Sequence, residues 1–365
     1  MMRLPSRADH VGSLLRPLAL QEARAQRAAG RLSSAALRQV EDQCIRDAIQ
    51  RQEALGLQAI TDGEYRRAFW HYDFLAGLDG VALADIATGV QFSGAQQLRP
   101  VAPTVIGSLD YTTNHMVEHF TFLQGYVRAT PKQSIPSPTA LHYRGGRHAI
   151  SPTVYPDLEV FFHDLGHAYQ KAIAAFASAG CTYLQLDEVY LAYLCDPAQH
   201  EALRARGEDP ERLVQTYVQL INLAIAARPA GLTLAMHLCR GNFRSSWIAQ
   251  GGYEPVADLL FNTLGIDVYF MEYDSERAGG FEPLRFVPPG KMVVLGLVTS
   301  KTGALEAQES LKRRIDQAAQ YLPLEQLALS PQCGFASTEE GNVLTEAQQW
   351  AKLALVVEVA QDVWG

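Results

Sequence analysis

The chain has 365 residues, 48% hydrophobic and 19% charged, with 28 Gly and 18 Pro; this supports a large core and excludes a disordered, collagen-like or low-complexity chain. Thirty-one Lys and Arg against 39 Asp and Glu give a formal charge of −8, which argues against a nucleic-acid binder but not against a small anionic substrate held by a local cluster. No apolar run reaches the roughly 18 residues of a membrane span, the opening MMRLPSRADH has no leader-like apolar stretch, and five scattered Cys do not make a disulfide framework, so a cytoplasmic protein without membrane contact is expected.

Short apolar runs ending in polar or small residues recur along the chain, without an internal repeat. The first covers residues 10–13, and residues 16–50 then read as two helices. The second run, 57–64, is followed by an irregular stretch at 75–130 with β-like pieces (GVALADI, PTVIGSLDYT). That stretch reads as an insertion between the second and third strands, packed beside the main body. Further runs follow at 132–137, 182–188, 232–239, 266–274, 291–299 and 327–334. Helical periodicity fills 158–179, 211–227 and 345–363, with Asp157 and Thr345 as N-caps and Gly180 as a C-terminal stop. Eight buried strands alternating with helices predict an α/β fold, a (β/α)8 TIM barrel, with residues 1–365 as one domain. A doubly wound open sheet is the rival, but no G-x-G-x-x-G follows an early strand.

In such a barrel the chemistry sits at the C-terminal strand ends. There the sequence places Ser13, Asp62, Glu64, Ser134, Ser137, Asp187, Glu188, His237, Cys239, Glu272, Asp274, residues 299–301 and Cys333. His237 and Cys239 are two apart, so on a strand they share one face. An imidazole and a thiolate there, with Glu272 and Cys333 at neighbouring strand ends, make a candidate zinc site of N, S, O and S donors. Buried packing is the competing role for any single Cys. Cys44, Cys181 and Cys195 have no such context and are assigned to packing; His10 and His71 lie near strand ends and could line the pocket.

On these residues the chain resembles the catalytic C-terminal barrel of the cobalamin-independent methionine synthase family, most closely its shorter single-barrel members. The likeness rests on His10-Val11-Gly12-Ser13, Asp62-Gly63-Glu64, Leu186-Asp187-Glu188, His237-Leu238-Cys239, Glu272 and Cys333-Gly334, in order. The resemblance implies zinc-dependent transfer of a methyl group, from a 5-methyltetrahydrofolate-type donor, to the thiol of homocysteine, giving methionine. It assigns the metal to His237, Cys239, Glu272 and Cys333. It gives the amino group of the thiol substrate to Asp187 and Glu64, and its carboxylate to Gly12 and Ser13. For Asp187 and Glu64 the competing role is a strand-end salt bridge with a nearby Arg. The seventh run, Leu297-Val298-Thr299-Ser300-Lys301, lacks the family's His.

Two other functions compete. One is a zinc-dependent thiol alkyltransferase with another acceptor or donor, such as an epoxyalkane:coenzyme M transferase or a methylcobalamin-using enzyme; the acidic Glu64 and Asp187 favour an amino-acid thiol instead. The other is a binding protein with a structural zinc. Lys301 and Arg66 are candidates to hold an anionic donor tail. Small-molecule substrates are the expected partners, with a homodimer the expectation for a barrel of this size.

Overall fold

In the computed structural model, which describes residues 6–85, 92–93 and 101–365, two helices, α1 (Leu18–Ala28) and α2 (Ser34–Ala54), precede the short strand β1 (Ala59–Ile60). After the turn of helix α3 (Tyr72–Leu75) come β2 (Asp79–Asp85) and β3 (Val101–Asp110), an antiparallel pair. Helix α4 (His115–Gln124) leads into β4 (Thr130–Pro136), and α5 (Leu158–Ser178) into β5 (Tyr183–Glu188). Then follow α6 (Tyr190–Tyr193), α7 (Pro197–Ala205), α8 (Pro210–Ile225), β6 (Thr233–Leu238), β7 (Val268–Glu272), β8 (Met292–Val298), α9 (Gln308–Ala318), β9 (Leu327–Pro331) and α10 (Glu346–Trp364).

The parallel sheet runs β1-β4-β5-β6-β7-β8-β9. The residues flanking the first run close it, outside the expected bounds of 10–13: Ala8 bridges Leu329 in parallel, Asp9 N donates to Leu329 O at 3.0 Å, and Leu14 N donates to Gly63 O at 3.0 Å. The fold is therefore the expected TIM barrel. The first stave is shorter than expected because side chains replace ladder partners. His10 N donates to its neighbour Asp9 Oδ1 (2.7 Å), Lys132 Nζ donates to His10 O (2.6 Å), and Thr61 Oγ1 donates to Gly12 O (2.6 Å).

The helices end as their sequences dictate. Asp157 accepts from Glu159 N, and Thr345 forms a capping box with Gln348. Gly180, at φ +92°, follows the last turn of α5. The two β-like pieces of the 75–130 stretch form the β2–β3 pair, held against the barrel by the Val105–Ile150 bridge and by Leu109 N donating to Tyr155 OH at 2.7 Å. Ile86, the end of the first piece, lies outside the described residues. The α4 helix was not expected; Asn114 starts it by accepting from Met116 N.

Alternation along the strands sorts the side chains. Val11, Ala59, Tyr183, Ala235, Val268, Phe270, Met292, Val294 and Ala328 form one buried cluster, the barrel interior. The residues between them pack outward on the helices. At the N-terminal end of the interior lies Lys132, with no exposed surface. Its Nζ is 3.1 Å from Asp9 Oδ1 and 3.9 Å from the Phe270 ring centre, and Tyr183 OH donates to Asp9 Oδ2 at 2.8 Å. Removing one partner of such a pair leaves a buried charge without compensation. Lys132→Met is expected to lose about 3–5 kcal/mol of stability in urea unfolding, and Lys132→Met/Asp9→Asn to lose less than Lys132→Met alone.

Candidate active site

Strand parity carries the inward face up to the C-terminal rim. β5 presents Tyr183, Gln185 and Asp187 on that face, β6 presents Ala235 and His237 with Cys239 just beyond, and β7 presents Val268, Phe270 and Glu272. Register sets Asp187 beside His237. Cys333 follows the end of β9. The ligand atoms of His237, Cys239, Glu272 and Cys333 all lie within 4.8 Å of one another, and all four residues are buried.

This donor set fits a tetrahedral zinc ion. Zinc–ligand bonds of about 2.0–2.3 Å place ligands roughly 3.3–3.8 Å apart, and the Cys239 and Cys333 sulfurs are 3.6 Å apart. Both ring nitrogens of His237 are buried without a hydrogen-bond partner, which a satisfied core histidine would not be. The hydrogen bond from Cys239 drives the Cys333 thiol well below its usual range, and the same bond pushes Cys239 up. Burial pulls His237 down, but the Cys333 thiolate beside it reverses this, and its net shift is upward. Burial raises Glu272. Its Oε1 accepts from Arg240 N at 2.9 Å and its Oε2 from Arg277 Nη2 at 3.2 Å.

Beside the donor set opens a cavity of about 300 Å³, lined by Ser13, Glu64, Asp187, His237, Cys239 and Cys333 among others. Asp187 accepts from Gln185 Nε2 at 2.7 Å, and its carboxyl is pushed up to about 7 by burial, with Glu64 adding to the shift. Glu64 stands in a left-handed turn, at φ +57° after Gly63 at +68°. The turn is fixed by Glu64 N donating to Asp62 Oδ1 (2.8 Å) and by Arg16 Nη2 donating to Glu64 O (2.7 Å). Gly12, at φ +141°, is packed so closely that a Cβ would come 2.6 Å from Glu64 Oε1. Only glycine permits that approach of the first run to the carboxylate.

The salt-bridge alternative holds for Glu64, which pairs with Arg67. Asp187 has no such ion pair among the described residues. Glu188, adjacent to Asp187, points to the opposite face, where it accepts from Tyr190 N, Leu191 N and Thr139 Oγ1 (2.8, 2.9 and 2.5 Å); it supports the α6 turn. Of the two histidines considered, His71 lines the cavity and His10 does not. Neither Arg66 nor Lys301 lines it. Arg66 pairs with Asp42 on α2 and lies over the Phe122 ring. Lys301 is buried, its Nζ without a hydrogen-bond partner, within electrostatic reach of Glu272 and both cysteines. Cys44, Cys181 and Cys195 are buried away from the donor set.

Sequence reasoning missed the aromatic outer wall, including Trp70, Tyr143, Tyr193 and Phe243, and the arginines Arg67 and Arg277. The spacing of Arg67, three after Glu64, was a usable signal; nothing local marks the others.

Residues 8–362 match the family model of the cobalamin-independent synthase catalytic domain. YxjH, an uncharacterized Bacillus subtilis protein, is 49% identical over 99% of this chain and 96% of its own. A solved structure from Listeria monocytogenes, offered as a vitamin-B12 independent methionine synthase, aligns over 100% of both chains with a TM-score of 0.81 and 41% identity. A 5-methyltetrahydropteroyltriglutamate–homocysteine methyltransferase from Bacillus velezensis is 25% identical over 79% of this chain but only 34% of its own length.

Proposed function

The chain belongs to the cobalamin-independent methionine synthase catalytic-domain family, and on that premise we propose that it is a zinc-dependent methyltransferase. It moves a methyl group from a 5-methyltetrahydrofolate-type donor to the thiol of homocysteine, giving methionine. The observation that carries this reading is the buried His237, Cys239, Glu272 and Cys333 set opening directly onto a cavity with two carboxylates.

His237, Cys239, Cys333 and Glu272 would hold the zinc. When bound, zinc lowers the pKa of a coordinated thiol so that the nucleophilic thiolate prevails at neutral pH. The remaining work falls to the chain. Asp187 and Glu64 accept from the substrate ammonium, and Arg67 holds the Glu64 carboxylate in place. Ser13 and the Gly12 backbone take the substrate carboxylate. The aromatic wall of Trp70, Tyr193 and Phe243 excludes water above the sulfur, where solvation would blunt a thiolate.

No helix among the described residues is long and apolar enough to cross a membrane. We place the enzyme in the cytoplasm with small-molecule partners, as a homodimer and without a nucleic-acid partner.

The test is thiol-dependent demethylation by the zinc-loaded protein. Methyl-folate mono- and polyglutamates, methylcobalamin and S-methylated donors are each offered with homocysteine or coenzyme M. Methionine from a methyl-folate and homocysteine is the expected result. Turnover with coenzyme M but not homocysteine, or with methylcobalamin alone, overturns the acceptor or the donor respectively.

A further inference from the structure

Glu272 differs from the other three donors in its surroundings. Its side chain has no exposed surface, so a carboxylate released from a metal there cannot be taken up by water. Leaving a charge buried and unpaired costs several kcal/mol. Exchange at this position therefore needs a cation already in place.

The short turn after β7 supplies one. Arg277, five residues on, folds back so that its Nη2 lies 3.2 Å from Glu272 Oε2 and 3.4 Å from Asp274 Oδ1. Its guanidinium carbon sits 4.8 Å from the centre of the Trp247 ring, and its carbonyl accepts from Gly251 N at 2.9 Å. The arginine is thus held from three sides before any substrate arrives. Asp274 balances it only in part, at the longer distance.

Resting on the zinc–thiol reading above, we infer that Arg277 is a positioning residue that receives the Glu272 carboxylate when a substrate thiolate takes its place among the donors. The charge count agrees. Two thiolates, one carboxylate and a divalent cation sum to −1, and replacing the carboxylate by a third thiolate leaves −1. The displaced carboxylate is an additional −1, which meets the Arg277 charge directly, with the buried Lys301 also within electrostatic reach. Because the pair is already formed through Oε2, the exchange shortens an existing hydrogen bond rather than building a new one.

Cobalt-substituted protein tests this without turnover, because the visible spectrum reports ligand exchange at the metal. Homocysteine titrated into the wild type should change the spectrum. In Arg277→Gln the thiol-free spectrum and cobalt content should match the wild type, with release of cobalt to a chelator no faster. The homocysteine affinity should fall at least about tenfold, equivalent to about 1.4 kcal/mol. Arg277→Lys, which keeps the charge but not the fork geometry, should fall between the two. Equal homocysteine affinity in wild type and Arg277→Gln overturns the inference while leaving the zinc–thiol reading intact. Loss of cobalt from both variants also overturns it, since Arg277 would then support the metal itself. No response of the wild-type spectrum to homocysteine overturns the underlying reading instead.

Discussion

Cys239→Ser is expected to purify with almost no zinc, where the wild type carries about one per chain, and to lose at least about 10³-fold in methyl transfer. Cys239 and Cys333 face each other at 3.6 Å, so a hydroxyl in place of one sulfur removes a soft ligand and also the neighbour that drives Cys333 toward its thiolate form. Several kcal/mol of barrier lowering by the metal corresponds to that rate loss. Cys44→Ser is the control. Cys44 sits on α2, packed into the helix–sheet core, and its variant should keep its zinc. Metal analysis of the two proteins decides the matter, and equal loss in both would sink the ligand assignment. Thermal unfolding gives a second readout: a chelator should lower the Tm of wild type and of Cys44→Ser, and leave Cys239→Ser unchanged, because only a bound metal adds stability to the native state.

What could be read from the sequence follows from how local each signal is. His237 and Cys239 lie two apart on a regular strand, so their common face is fixed by the pleat. The same rule separates Asp187 from Glu188, and the structure turns them to opposite faces. The rule fails where the backbone leaves the strand. Gly63 and Glu64 are both left-handed, so alternation cannot be continued past them. This is why Arg67 rather than Arg66 meets Glu64, and why Arg66 turns outward to Asp42. The first stave was legible as an apolar run, but not as a single bridge, since its replacement partners Lys132 and Thr61 come from other strands. Arg277 was illegible for a similar reason: its position depends on Trp247 and Gly251, which belong to the loop after β6.

Asp187→Asn should raise the homocysteine KM about 10²-fold, the worth of a hydrogen bond to a charged group in a buried site, with zinc content unchanged. The reason lies in the state of Asp187 before substrate arrives. Its carboxyl is pushed up to about 7 by burial and by Glu64, well above its range in an unfolded chain. The native protein therefore binds this proton more tightly than the unfolded one. Its contribution to stability is full at pH below about 4 and is lost as pH rises through about 7. Asparagine never ionises, so the substrate-free variant should be more stable than wild type at pH 8 and no more stable at pH 4, as urea unfolding at the two values would register. An arriving ammonium reverses the wild-type penalty by giving the carboxylate its partner. Homocysteine affinity of the wild type should thus rise as pH increases through about 7, with a proton released on binding below it, while Asp187→Asn shows neither effect. Calorimetry in buffers of different ionisation enthalpy measures that proton. If the variant loses its zinc, Asp187 belongs to the metal shell; if it keeps zinc and an unchanged KM, the ammonium is held elsewhere. The stability and affinity changes oppose each other because the site keeps, at a cost to the fold, a carboxyl whose charge is completed only by substrate.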